Sequence, residues 1–226
     1  VGDLGAGMFA CYGILSAVIG RERTGKGQYV DTSLLDAALA LSVWESTEYW
    51  ATGKSPGPLG TANRMSAPYQ AFAGSDGYFV VGAANQKLWL IFCDAIGRPE
   101  LKDDPRYANN IDRVQRRGEL ADELRPTFLT RTAEEWVDLF LSAGVPAGPI
   151  NDYSVALDNE HVHHRKAVIE IAHPVEGSFK ALGFPAKLSH TPAAVRRPPP
   201  LLGQHNEEIL AELDLIDQQN RKAVPV

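Results

Sequence analysis

Asp3 stands in the run Val1-Gly2-Asp3-Leu4-Gly5-Ala6-Gly7, a single carboxylate among small residues at the mouth of an apolar segment. A carboxylate held in that way has two uses. It can attack an activated acyl group as a nucleophile, or it can cap the helix that follows, since Asp is among the preferred N-cap residues. Both uses draw on the unpaired N–H groups and the dipole of a helix start, which favour an anion. Gly5 and Gly7 carry no side chain that would keep a bulky substrate from the carboxylate. The segment Met8 to Gly20 is apolar on every side, so the pattern predicts a helix buried in a core with Asp3 at its buried N-terminus.

Other chemistry-bearing clusters read more plainly. In His161-Val162-His163-His164 only His161 and His164 would share a helix face, and no Cys or carboxylate stands at a recognisable ligand spacing, so exposed helix surface is expected there and no metal. Thr24-Gly25-Lys26-Gly27 lacks the glycine lead of a phosphate loop and reads as a turn. No Gly-x-Ser-x-Gly elbow supports a serine hydrolase. The polar run Gly60-Thr61-Ala62-Asn63-Arg64-Met65-Ser66-Ala67-Pro68 reads, from its residues alone, as a linker. Within it, Arg64 has a planar guanidinium able to meet a carboxylate in bidentate fashion.

Elements that would position these residues follow from periodicity. Gln28 to Ser33 alternate as a strand does, and Leu34 to Thr52 carry helical spacing. Gly and Pro crowd residues 53–68, which places a boundary there. Tyr69 to Phe72 and Tyr78 to Ala83 predict a hairpin across Gly74-Ser75-Asp76-Gly77. Helices are predicted over Asn85 to Ile96, over Ile111 to Leu129, and over Thr132 to Ser142, the last opened by a Thr132/Glu135 capping box and stopped by Gly144. A short helix near Val155, strands at Val168 to Ala172 and Ser178 to Leu182, and a last helix over Glu207 to Leu213 complete the reading.

From end to end the chain resembles the class III CoA-transferase family, which includes the formyl-CoA and carnitine CoA-transferases. The resemblance is carried by Asp3-Leu4-Gly5-Ala6-Gly7, by Arg23-Thr24-Gly25-Lys26-Gly27-Gln28 with Val30-Asp31, and by Leu34-Leu35-Asp36-Ala37 opening a helix. It continues through Gly60 to Tyr69, Asp76-Gly77-Tyr78, and Asp103-Asp104-Pro105-Arg106-Tyr107 with Arg113. Gly144-Val145-Pro146-Ala147-Gly148-Pro149-Ile150-Asn151, His173-Pro174, and Arg197-Pro198-Pro199-Pro200-Leu201-Leu202-Gly203-Gln204-His205 extend it.

The resemblance implies an α/β fold, part of a large Rossmann-like domain with a smaller α+β domain, in an interlaced homodimer. Residues 1–52 would belong to the large domain, 53–68 to a linker and active-site loop, 69–151 to the small domain, and 152–226 to a return to the large one. The chain starts at Val1, and the resemblance starts where family members have already built the first half of the CoA-binding domain, so these residues alone are expected to form a half-site. The activity implied is transfer of CoA from an acyl-CoA donor to a carboxylic acid through an aspartyl-CoA thioester on Asp3, with coenzyme A as substrate carrier and neither metal nor redox cofactor. Gly60, Asn63 and Pro68 match positions of a mobile loop over the family's active site, which together with Arg64 makes Gly60, Asn63 and Arg64 the candidate substrate-binding residues.

This loop lacks the longer glycine run of the formyl-CoA transferases, which implies a stiffer lid and substrates other than oxalate and formate. Succinyl-CoA with a second dicarboxylate is the expected pair, because Gly60-Thr61-Ala62 and Pro68-Tyr69-Gln70 resemble dicarboxylate-using members. Two rivals remain. Racemases of 2-methylacyl-CoA in the same family use the matching Asp for proton transfer, and the chain as it stands could be a non-catalytic dimerisation or folding module.

Composition fits an ordinary soluble protein: 226 residues, 44% hydrophobic and 22% charged, are enough for a sizeable core. A net charge of −6 without a basic stripe argues against nucleic acid. The basic runs Arg21 to Lys26 and Arg113 to Arg117 are expected on solvated surface. Cys11 and Cys93, one in each of two helical segments, imply no disulfide framework, so a reducing, cytoplasmic setting is expected. No run of roughly 18 consecutive apolar residues marks a membrane span.

Overall fold

The computed structural model describes residues 1–213 of the chain. The chain opens with helix α1 (Gly2–Thr24), which runs into an extended stretch and then α2 (Leu34–Leu41) and α3 (Val43–Thr52). Gly25 stops α1 in the left-handed conformation (φ 71°), its N–H bonded to the Arg21 carbonyl, so Thr24-Gly25-Lys26-Gly27 is a turn. Ser33 caps α2, its hydroxyl accepting from the Asp36 N–H at 3.0 Å. The single helix predicted over Leu34 to Thr52 is two, because Ser42 leaves helical geometry (φ −90°, ψ 37°) and its hydroxyl donates to the Leu39 carbonyl.

Two predictions for this region are corrected. The helix starts at Gly2, six residues before Met8, and only Gly5 and Ala6 of it are buried. Met8, Leu15 and Ile19 stay more than half exposed, so within this chain the apolar helix is uncovered. Its length and mean hydropathy would suit a membrane span, a signature that the core helix of a soluble protein shares. Gln28 to Ser33 form no strand. A strand exists through its ladder, and none of the described residues supplies a neighbour.

The best-packed part is an α+β unit. Strands β1 (Tyr69–Ala73), β2 (Tyr78–Gly82) and β3 (Ala147–Pro149) form an antiparallel sheet in the order β1-β2-β3. The register pairs Ala73 with Tyr78 across the predicted turn and Val80 with Gly148. Strand β3 has no strand-like pattern; it is placed by pairing with β2. Helices α4 (Gln86–Ala95), α5 (Asn110–Gln115), α6 (Arg117–Phe128) and α7 (Ala133–Ser142) complete the unit, with 3₁₀ turns at Pro99–Lys102 and Pro105–Tyr107. The predicted helix over Ile111 to Leu129 is interrupted at Arg116 (φ −107°, ψ 24°), which separates the short α5 from α6.

Apolar positions of these elements meet in one core from Phe72 to Val145. Phe79 and Phe128 meet edge to face at 5.2 Å, and Phe92 stacks on Phe140 at 5.4 Å. Thr132 and Glu135 make the predicted capping box at the start of α7, and Asp76 in the hairpin turn accepts the Ala133 N–H at 2.8 Å, tying sheet to helix.

Arg113 contradicts the expectation of a solvated basic run: it is fully buried. Its Nε donates to the Ala67 carbonyl at 2.8 Å, and Nη1 donates to the Tyr107 carbonyl and to Gln86 Oε1, each at 3.0 Å. The guanidinium lies 4.8 Å from the centre of the Trp89 ring. Burial lowers its pKa, and the neighbouring Asp112, which makes no ion pair with it, opposes that only in part.

Beyond this unit, α8 (Tyr153–Leu157) and α9 (Glu160–His164) lead to the hairpin of β4 (Val168–His173) and β5 (Gly177–Leu182). Residues 206–213 are helical.

Candidate active site

Asp3 lies in the first turn of α1 and is exposed. The N-cap position is Val1, and no side chain caps the helix, so Asp3 is neither the cap nor buried. The glycines around it divide their work. A Cβ on Gly5 would stand 2.8 Å from Leu41 Cδ1, so this glycine lets α1 lie closely on α2, whereas one on Gly2 would sit at an ordinary 3.6 Å from the Leu34 carbonyl oxygen. Gly7 has nothing within 4 Å of a Cβ position, so it alone of the pair Gly5 and Gly7 leaves space beside the helix start.

Helix α2 leads through Ser42 into α3, and α3 holds the loop. Arg64 Nη1 meets Glu48 Oε2 at 2.9 Å, its Nε lies 3.5 Å from Glu45 Oε1, and Nη2 donates to the Gly57 carbonyl at 3.2 Å. The guanidinium is therefore engaged by two carboxylates one helical turn apart. Glu45 and Glu48 did not figure among the predicted site residues, although their i, i+3 spacing on a helix was visible. Asn63 shapes the loop from within: its Oδ1 accepts the Met65 N–H at 2.8 Å and the Ser66 N–H at 3.1 Å. Gly60 takes φ 62°, a conformation that favours glycine.

Gly60, Asn63 and Arg64 line one open cavity of about 500 Å³ together with Trp44, Glu45 and Met65. The three predicted loop residues thus come together. Asp3 is not among the residues lining that cavity. The His161 to His164 cluster is exposed, with His163 Nε2 2.9 Å from Asp158 Oδ1, and among the described residues no group of three or more His, Cys, Asp or Glu could hold a metal ion.

The model of CoA-transferase family III matches residues 1–206. The chain belongs to this family. It is 37% identical over 216 residues to a succinyl-CoA:glutarate CoA-transferase from Mus musculus, covering 96% of this chain and 50% of the relative. It is 36% identical over 187 residues to an acetyl-CoA:oxalate CoA-transferase from Acetobacter aceti, covering 83% and 47%. The fold matches the crystal structure of a CAIB/BAIF family protein from Brucella suis with a TM-score of 0.77 and 32% identity, over 94% of this chain and 55% of that one. The chain spans about half the length of the curated relatives it matches.

Proposed function

We propose that this chain is the catalytic portion of an enzyme that moves CoA from an acyl-CoA donor to a carboxylic acid, with Asp3 as the nucleophile. The reading rests on one observation: the family match runs through residues 1–206, and within it Asp3 is a solvent-accessible carboxylate at an uncapped helix start.

The chemistry balances on that one side chain. Asp3 attacks the thioester carbonyl, forming an acyl-aspartyl anhydride and releasing the CoA thiolate. The thiolate attacks the aspartyl carbonyl, giving the aspartyl-CoA thioester and releasing the donor acid. The acceptor carboxylate then attacks that thioester, and the thiolate freed in this step takes the acceptor acyl group from the second anhydride. Asp3 is regenerated with no net proton or electron change. Holding carboxylate and thioester together lowers the entropic barrier, and the unpaired N–H groups at the start of α1 suit the oxyanions formed at each addition.

For the acceptor we propose a dicarboxylic acid, which agrees with the names of the relatives for glutarate and oxalate. Arg64 supplies the cation for its distal carboxylate, and the acid must displace Glu48 or Glu45 to reach it. Gly60 and Asn63 shape the loop that carries Arg64. The enzyme works as an interlaced homodimer in the cytoplasm, with coenzyme A as substrate carrier, and needs no further cofactor.

The test uses the full-length protein with succinyl-CoA, followed by hydroxylamine and peptide mass mapping. A hydroxamate on Asp3 and glutaryl-CoA formation on adding glutarate are expected. Exchange of the α-hydrogen of 2-methylacyl-CoA with deuterated solvent, without an adduct, would assign the racemase chemistry instead.

A further inference from the structure

A cation buried with no carboxylate beside it costs several kcal/mol in lost hydration, and an apolar residue of similar volume would commonly serve a core better. Arg113 comes near that case: it is fully buried and its guanidinium donates only to carbonyl and amide oxygens, with Asp112 acting on it at a distance. Its Nε donates to the Ala67 carbonyl at the end of the loop. One turn earlier on α5, Asn110 takes hold of the same segment: Oδ1 accepts the Ala67 N–H at 3.3 Å, and Nδ2 donates to the Met65 carbonyl at 2.8 Å.

Together with the Asn63 turn, these contacts engage the backbone N–H and carbonyl of both Met65 and Ala67, and the N–H of Ser66. The other end of the loop is held differently. Around Gly57 to Gly60 the named ties are the Arg64 bond to the Gly57 carbonyl and one turn bond from Ala62 to Leu59. Arg64 therefore adjoins a segment clamped to the α+β unit, while its charged end meets Glu45 and Glu48 on α3.

We propose that Asn110 and Arg113 are positioning residues for the transfer reaction: from α5 they fix the Met65–Ala67 backbone and so set where Arg64 presents its guanidinium to the acceptor acid. The inference rests on the reading of Arg64 under the proposed function and adds to it residues that touch no substrate. Releasing the clamp lets the loop wander, which weakens acceptor capture, so the aspartyl thioester waits longer and more of it hydrolyses per transfer. A purely structural role would instead lower every step by the same factor, through the folded fraction.

The experiment compares full-length wild type with Asn110→Ala, using succinyl-CoA and glutarate. Asn110 is half-buried and on a short helix, so its loss spares the aromatic core. About a tenfold fall in kcat/KM for glutarate is expected, with the hydrolysis of succinyl-CoA in the absence of acceptor rising several-fold relative to transfer. Hydrogen exchange at the Ser66 and Ala67 amides should speed up while the amides of α7 are unchanged. Asn110→Asp, which keeps the acceptor for Ala67 N–H and loses the donor to Met65, should fall between the two; Arg113→Lys should resemble Asn110→Ala. Unchanged partition between transfer and hydrolysis, or unchanged exchange at Ser66 and Ala67, overturns the positioning role. Absence of CoA transfer in the wild type overturns the functional reading itself, a result distinguishable from the first because it appears before any variant is made.

Discussion

Asp3→Asn should separate catalysis from stability, because the structure leaves Asp3 little structural work. It accepts no capping hydrogen bond, it is exposed, and the close packing at this end of α1 is made by Gly5. What the substitution removes from the fold is the attraction between one anion and the helix start, about 0.3–1 kcal/mol. For a domain of this size that lowers Tm by roughly 2–4 °C at most. Against a total stability of about 5–15 kcal/mol the folded fraction is then essentially unchanged. If Asp3 is the nucleophile as proposed, its removal has a far larger effect on rate, on the order of 10³-fold or more in kcat, since an amide cannot form the anhydride. The assay is succinyl-CoA to glutarate transfer by the full-length enzyme, with a thermal melt of the same preparation. A variant that keeps more than about a tenth of the wild-type kcat, a loss under about 1.4 kcal/mol, refutes the assignment. So does a loss of activity matched by a collapse in Tm, which would make Asp3 a structural residue.

Two further outcomes follow from exposure and burial. The 226-residue chain alone should associate and bind a hydrophobic dye, because α1 presents Met8, Leu15 and Ile19 to water along one helix; a monomer in sedimentation with micromolar affinity for CoA would contradict this. Cys93 is buried, and desolvation pushes its thiol well above the ordinary thiol range, up to about 12. It should resist alkylation at pH 8 until the chain unfolds, and Cys93→Ala should flatten part of the stability loss between pH 9 and 12: there the unfolded thiol gives up a proton that the folded one keeps, so wild-type stability falls as pH rises. Rapid alkylation of Cys93 in the native chain would contradict the burial.

Local signals were legible where a residue and its partner lie within a few positions. The capping box at Thr132 and Glu135, the hairpin across Gly74 to Gly77 and the turn at Thr24 to Gly27 are each decided by short-range geometry, and the structure has them as the pattern predicts. Positions decided by distant neighbours were not legible. Gln28 to Ser33 alternate correctly for a strand, yet alternation creates no ladder partner. Strand β3 is the converse, an Ala-Gly-Pro segment with no strand signature that pairs because β2 offers an edge. Gly5 was read as access for a substrate, whereas its missing side chain accommodates Leu41 of the neighbouring helix.

Arg113 and Arg64 show how far one residue type can carry a functional reading. Both were visible as cations, and charge alone placed neither. In Arg113 Nε and Nη1 donate to the Ala67 and Tyr107 carbonyls and to Gln86, contacts that fit the proposed role of holding backbone in place. In Arg64 the fork meets two carboxylates and is about 20% exposed, so the cluster, of which Arg64 and Glu45 line the cavity, carries a net negative charge. An anionic acceptor cannot simply add to such a cluster; it must exchange with a glutamate, and the exchange is favourable only if its carboxylate reaches the fork with better geometry than Glu48 does. Under the proposed function, acceptor selection at this site becomes a contest of geometry between two carboxylates, and the clamped backbone of Met65 to Ala67 would fix the fork for that contest.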